Sequence, residues 1–363
     1  MNVVITLAAG NADFPFVLSD YHIPMLPSTD GAIDPMTHDG CGPYKIDNIE
    51  FGVGASYSRH DGYWKQNAAY FDGVEQIAIH DAAARQNALI SGEVDYIDQA
   101  DLNTVHLLQR APGVVVLSVN GTQHYGLPMD TRAAPFSNVH VRLALKYAID
   151  RQQLLDTILN GYGALGNDHP IGAGQRYFNT ELEQKAYDPE RARHHLQQAG
   201  MDSLDVNIHL ADAAFDGAID AGVLFSETAA AAGINLNVVR EPNDGYWSNV
   251  WMQLPFVGTY WGGRPTEDLM FSTAYAAGAP WNETYWDNGR FNELLLAARA
   301  ELNEDLRREM YWEMQQITSD EGGIIIPMFA AYVGAHSDTL AHGDVATNWR
   351  NDGHRIAERW WFA

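Results

Sequence analysis

The stretch Tyr260–Asp268, YWGGRPTED, sets a fixed cation between an aromatic platform and two carboxylates on a glycine-loosened turn. An arginine fork suits a carboxylate, which it holds bidentately. Gly262 and Gly263 let the backbone approach a ligand closely, and Pro265 stiffens the exit. Glu267 and Asp268 either orient Arg264 or receive a ligand cation. Around this stretch stand Tyr246, Trp247, Trp251, Phe256 and Tyr260, and then Tyr275, Trp281, Tyr285 and Trp286, in a chain with 10 Trp and 17 Tyr. Core packing accounts for any single one of them. As a cluster beside Arg264 they read as the wall of a polar-tipped cleft. The candidate ligand-binding residues are therefore Trp261, Arg264, Asp268, Trp251, Trp247, Tyr246 and Tyr260. The competing reading is an ion pair of Arg264 with Glu267 or Asp268 that caps the following segment.

Other chemistry is poorly served. There is no GxSxG, HExxH, Walker loop or zinc spacing, so no catalytic residue, metal or cofactor is expected. The one cysteine, Cys41 in DGCGPYK, excludes an internal disulfide framework and any CxxC site; it reads as a small residue of an internal turn, not a lipid attachment point. GYGALG (161–166) matches GxGxxG but follows a helix and precedes a loop, where a dinucleotide site needs strand, turn and helix. The 14 histidines are scattered, with His194–His195 expected on a solvent-facing helix. The sequons NGT (120–122) and NET (282–284) carry little meaning without a eukaryotic secretory context.

These residues need a scaffold. A chain of 363 residues with 46% hydrophobic content reads as globular and as two domains. No apolar run approaches the roughly 20 residues of a membrane span, and MNVVITLAAGNADFPF lacks the basic start of a signal peptide. Net charge is −25, from 47 acids against 22 bases, with only four lysines (Lys45, Lys65, Lys146, Lys185). Such a field repels phosphate backbones, so no nucleic-acid partner is expected. It suits salty surroundings, where counterions screen self-repulsion, and equally an ordinary acidic exported protein.

Along the chain, VVITL (3–7) reads as a strand and ADFPFVLSDY as a short, broken helix. The stretch 27–43, rich in Pro, Gly, Asp and Ser, reads as a linker. A strand pair over 44–60 and a strand over 73–80 precede a helix begun by Asp81 and stopped by Gly92. A buried strand follows at 113–119. SNVHVRLALKYAIDRQQLLDTIL (137–159) reads as one long amphipathic helix. DPERARHHLQQAG has Asp188 as cap, Pro189 at its first position and Gly200 at its end. Strands flank a helix at 219–231, a helical pair over 288–323 breaks near Asn303, and a buried strand occupies 324–333. Helices and strands alternate, so the class is α/β.

Several segments resemble one family in order: CGPYKI (41–46), YSRHDGYW (57–64), DAAARQNALISGEVD (81–95), APFSNVHVRLALKYAIDR (134–151), YDPERARHHLQQAG (187–200), AAGINLNVV (231–239) and GRFNELLLAARAELNEDLRREMYWEMQQI (289–317). Together with YWGGRPTED and IIIPMFAAYV they are similar to the solute-binding proteins of ABC importers, the oligopeptide/dipeptide/nickel-binding family. The resemblance implies a two-lobed periplasmic-binding-protein-like α/β fold closing over its ligand. It assigns 1–40 to a remnant of a small extra domain plus linker, 41–132 and 334–363 to a first lobe, and 133–333 to a second. Family chains begin well upstream of Met1, so a shortened form with a reduced cleft wall and an export signal outside this chain is expected. In peptide-binding members an aspartate stands three residues after the aromatic at the Trp261 position and holds the ligand's amino terminus. Here that place is Arg264, which looks closer to the W-S-G-R-x-D-x-D subgroup with its glutathione-binding-like members. The implied role is a monomeric, periplasmic or cell-surface receptor that passes a peptide or small anionic or zwitterionic solute to ABC permease subunits. The alternatives are an exported hydrolase or transferase on a similar scaffold, and a truncated remnant that binds nothing.

Overall fold

The computed structural model describes residues 3–34 and 39–363. Two compact units form, Met1–Val17 with Asn120–Ala331 and Leu18–Val119 with Tyr332–Ala363. The expected strand at 3–7 does not form. The segment pairs with no strand among the described residues, and Val3 and Val4 stay 83% and 87% exposed. Without a neighbouring ladder, alternation alone does not hold a strand. The expected short helix survives as one turn, α1 (Phe14–Val17).

The smaller unit opens with an antiparallel sheet of β1 (Tyr44–Glu50), β2 (Gly54–Arg59) and β3 (Gly73–Ile77), with β2 in the centre. Helix α2 (Ala82–Ser91) is capped by Asp81, whose carboxylate accepts from the Ala84 N–H at 2.7 Å, and it stops at left-handed Gly92 (φ 76°). Strand β4 (Tyr96–Ile97), helix α3 (Val105–Leu108) and strand β5 (Val114–Pro128) follow. The apolar run 113–119 is not the buried strand its composition suggests. Its alternate residues face solvent, and the buried part of β5 begins at Gly121, inside the other unit.

In the larger unit the long helix expected over 137–159 is two helices, α4 (Val139–Ala148) and α5 (Arg151–Ile158). Ile149 is extended, and Asp150 starts afresh by accepting from the Gln153 N–H at 3.0 Å. A capping aspartate inside an amphipathic pattern ends one helix as it begins the next. After β6 (Gly163–Leu165), α6 (Pro189–Gln198) packs on α4 with Asp188 as its cap and Gly200 left-handed beyond it. His195 is not wholly solvent-facing. It is half-buried, 3.1 Å from His140 and stacked on Tyr147.

Strands β7 (Leu204–Leu210) and β8 (Ile234–Arg240) are parallel, with α7 (Ala218–Ala230) as their crossover. Then come α8 (Tyr246–Asn249), β9 (Thr259–Trp261), α9 (Glu267–Ala274), α10 (Gly289–Ala300) and α11 (Glu304–Glu321). The break near Asn303 is real: its side chain caps α11 by accepting from Asp305 and Leu306. Strand β10 (Ile324–Ser337) pairs with β6 in this unit, and β9 pairs with the second half of β5. The glycines of GYGALG answer to this pairing. A Cβ on Gly163 would sit 2.2 Å from the Phe329 carbonyl oxygen, and one on Gly166 would sit 2.1 Å from that of Ile326. They admit a neighbouring strand at close range.

The chain returns to the smaller unit within β10 and ends in β11 (Leu340–Ala341), α12 (Arg350–His354, with Asn351, Asp352 and Gly353 left-handed), α13 (Ile356–Arg359) and β12 (Trp361–Phe362). Glu358 accepts from Tyr63 and Lys65, tying this end to the unit's first half, and within the end buried Trp360 donates to Asp352 at 3.1 Å.

The core of the larger unit carries an unusual load of buried cations. Lys146, wholly buried, donates to the Ser319 and Gly322 carbonyls at 2.8 and 2.9 Å, at the C-terminal end of α11. Arg142 donates to Phe136 and Glu321 carbonyls, and Lys185 to Ser319 and Asp320. Unpaired carbonyls and the negative end of a helix dipole favour cations at this position. Arg151 forms a buried two-pronged pair with Asp168 at 2.8 and 2.7 Å, and Asp168 also accepts from the Ile326 N–H. The VRLALKYAIDR segment is thus a scaffold: Arg142 and Lys146 close a neighbouring helix, and Arg151 holds Asp168. A second buried pair, Asp13 with Arg307, and the Ala12 N–H to the Arg299 carbonyl fasten the N-terminal segment to this unit.

Candidate functional site

Period-two geometry sends Tyr260 and Trp261 to opposite faces of β9. Tyr260 is 46% exposed, while Thr259 and Trp261 are buried. On the Tyr260 side, Trp247 lies edge-on to both Tyr260 and Trp251, with centroids 5.7 Å apart in each pair. On the other side Trp281 stands 5.8 Å from Trp261 and is 49% exposed. Of the aromatic residues singled out in the sequence, Trp247, Trp251, Tyr260, Trp261 and Trp281 gather around this strand, while Tyr275 and Trp286 pack in the core against Phe271 and Phe291, Phe256 packs on Phe136, and Tyr285 lies under Arg132. The open surface is offered by Trp247, Tyr260 and Trp281, the last of which was counted in the cluster but not among the candidate ligand residues. Tyr246 is buried, and its hydroxyl donates to the Gly258 carbonyl at 2.9 Å and accepts from the Gly258 N–H at 3.1 Å. Its role here is to brace the approach to β9.

Arg264 lies 5.6 Å from the Trp261 ring centroid, and its Nη1 donates to the Gly262 and Gly263 carbonyls at 3.3 and 3.1 Å. Its Nε and Nη2 donate to no described residue. The two following acids do not orient it, contrary to the sequence expectation. Asp268 pairs with Arg299 at 3.0 Å, and Glu267 accepts from the Tyr177 N–H at 2.7 Å. Both sit in the first turn of α9, capped by Thr266, where carboxylates are held by the helix start. A Cβ on Gly262 would meet nothing within 4 Å, so the space beside that backbone is open.

One residue that the sequence reading passed over joins the two aromatic groups. Glu283 is buried, and its two carboxylate oxygens accept separately, one from Trp261 Nε1 at 2.9 Å and the other from Trp251 Nε1. Thr259 adds a third, also neutral, donor. Burial raises the carboxyl to about 7, against the pull of these hydrogen bonds. The loop that presents it is locked. Asn282 is buried and its amide donates to the Tyr275, Ala276 and Trp286 carbonyls, while Thr284 bonds Asn282 and the Thr131 side chain donates to the Thr284 carbonyl. The NET sequon is therefore closed to modification. The available signal was an acid in WNETYW, flanked by aromatics with no base nearby in the sequence.

His124, opposite Trp261 in the β5–β9 ladder, is wholly buried with Nε2 unpartnered. Burial lowers it to about 4, aided by the charge of Arg264. Burial likewise lowers His169 to about 3. Among the described residues no group of three or more His, Cys, Asp or Glu could hold a metal ion, and no helix is long and apolar enough to cross a membrane. The strand thus carries exposed rings, Trp247 and Tyr260 on one side and Trp281 on the other, and Arg264 with its remaining donors lies beside the buried Trp261 ring.

The family model for bacterial extracellular solute-binding proteins, family 5 (middle region), matches residues 1–283. A heme-binding protein A of Haemophilus influenzae is 29% identical over 161 residues, 44% of this chain and 29% of the relative. A dipeptide-binding protein of Escherichia coli is 22% identical over 302 residues, 79% of this chain and 55% of the relative. The chain thus spans about half or less of the length of these two relatives. Among solved structures, an ABC transporter-associated periplasmic binding protein from Helicobacter pylori, in complex with the peptide STSA, matches with a TM-score of 0.78 at 20% identity, covering 98% of this chain and 71% of that one. A Campylobacter jejuni protein in complex with Ni(L-His) matches with a TM-score of 0.79 at 17% identity, covering 98% and 76%. These likenesses establish the two-lobed α/β fold.

Proposed function

The chain belongs to the family 5 bacterial extracellular solute-binding proteins, and from that premise we propose that it captures a peptide-like or other small zwitterionic or anionic solute outside the cytoplasm. It hands that solute, as a monomer, to the permease of an ABC importer. Recognition is by binding, without catalysis. The proteins it resembles are named for what they bind, among them heme, a dipeptide, a peptide and a nickel complex.

The observation that carries the reading is Arg264. Its Nη1 is anchored to two carbonyls, its Nε and Nη2 have no protein acceptor among the described residues, and the Trp261 ring stands beside it. A solute carboxylate fits that fork, with the solute's apolar part on exposed Trp281, which the buried Trp261 ring backs. Trp247 and Tyr260 line the other face of the same strand, and Trp251 reaches from Trp247 to Glu283. Asp268 and Tyr246, committed to Arg299 and to the backbone, frame the site.

The test is a thermal-shift screen of amino acids, di- and tripeptides and glutathione against the full chain. A true ligand stabilises in proportion to RT ln(1 + [L]/Kd), about 2.7 kcal/mol at a hundredfold excess over Kd. At least one carboxylate-bearing solute is expected to raise the melting temperature saturably and unchanged in composition. A panel that produces no shift, or turnover of any member, overturns the reading.

A further inference from the structure

We propose that Glu283 is the positioning residue of the aromatic wall: its carboxylate fixes the indoles of Trp251 and Trp261 together, so that the two aromatic groups on either side of β9 act as one surface whose order follows the proton on that carboxylate. The inference rests on the reading of this wall as the ligand surface.

The geometry is specific. Two indole N–H groups from separate segments, Trp251 after α8 and Trp261 in β9, converge on the two oxygens of one carboxylate. Thr259, on the same face of β9 as Trp261, converges there too. An indole nitrogen can only donate, so an ionised carboxylate is the natural acceptor for two at once. Trp251 reaches on to Trp247, and Trp261 to Trp281, so fixing the inner pair fixes the neighbours of the exposed pair. Asn282 and Thr284 hold the loop from both sides of Glu283, which makes its side chain a fixed post.

No cation neutralises Glu283 among the described residues. The titratable groups that face it from the packed elements are the phenols of Tyr246 and Tyr275, and burial pushes both up, so neither ionises in the working range. The carboxyl itself, raised by burial, takes up its proton near neutrality. Protonation replaces an ionised double acceptor by a neutral group with one donor of its own, and both indoles lose a charged partner.

The test is the indole region of a 15N–1H correlation spectrum of the full chain, followed from pH 5 to 9. Trp251→Phe and Trp261→Phe identify the two cross-peaks. Both are expected to move with one shared midpoint near neutral pH, and to stop moving in Glu283→Gln, whose single amide oxygen replaces only one of the two oxygens that the indoles use. Peaks that stay still, titrate with separate midpoints, or titrate unchanged in Glu283→Gln overturn the proposal. The parent's own titration decides the matter even if the variant fails to fold. In a second arm, Glu283→Gln is expected to bind about fivefold more weakly to whichever of the peptides or glutathione binds the parent, the difference between charged and neutral hydrogen bonds. Equal affinity overturns the positioning role. If none of those solutes binds the parent, the ligand-surface reading fails while the cross-peaks still decide whether Glu283 joins the two indoles.

Discussion

Lys146→Met removes a wholly buried amine that serves the end of α11. In the parent, Nζ reaches the Ser319 and Gly322 carbonyls at 2.8 and 2.9 Å. Burial lowers this amine to about 7, opposed by Asp168 and reinforced by Lys185 and Arg142. In the unfolded chain a lysine titrates near 10.4. Above pH 7 the native state has therefore shed a proton that the unfolded state still binds, and stability rises with pH until about 10.4. At about 1.4 kcal/mol per pH unit, the parent gains about 3 kcal/mol between pH 7.5 and 9.5 from this group. That window lies above the titration of Glu283 and below that of ordinary tyrosines. At pH 7.5 the methionine variant loses about 2 kcal/mol, because two carbonyl oxygens go unpartnered at about 1–3 kcal/mol each, offset in part by relief of the cost of stripping the amine of its proton on folding. Urea unfolding followed by tryptophan emission at pH 7.5, 8.5 and 9.5 measures both. The gap between parent and variant should widen with pH. Parallel curves would refute the reasoning from a depressed amine, and a more stable variant at pH 7.5 would refute the capping role.

With 47 acids against 22 bases, added salt should raise the melting temperature between low ionic strength and roughly 1 M, where the Debye length is about 3 Å; a flat or falling series in a scanning calorimeter would contradict self-repulsion as a cost. Asp168→Asn leaves Arg151 buried without its counter-charge, and urea unfolding should show a loss of about 3–5 kcal/mol; a loss under 1 kcal/mol would mean that water reaches the pair.

Much of the scaffold was legible because its signals are local. Asp81, Asp188 and Asn303 begin helices where a short polar acceptor precedes an amphipathic run, and Gly92 ends one where a left-handed residue is needed. Asp150 carried the same signal and was overridden by the apolar periodicity on either side of it. VVITL has strand composition, but pairing depends on a neighbour that no local pattern reveals. In the site, the turn at Arg264 announced itself by residue type. Its partners did not: Asp268 lies four residues from Arg264 yet pairs with Arg299, thirty-one residues on. Glu283, twenty-two residues after Trp261, meets it only because the 275–286 loop folds back on β9. Contacts of that kind are set by tertiary packing, and spacing along the chain does not encode them.

The central claim is that Arg264 receives the carboxylate of a captured solute. The most direct measurement is calorimetric titration of the parent and Arg264→Ala with the solute that stabilises the parent. Loss of a charged, two-pronged hydrogen bond at roughly 1.5–3 kcal/mol should weaken binding tenfold or more, with the melting temperature of the unliganded variant unchanged. Equal affinities in parent and variant would contradict the claim, and if the variant also melted several degrees lower, Arg264 would be a structural residue.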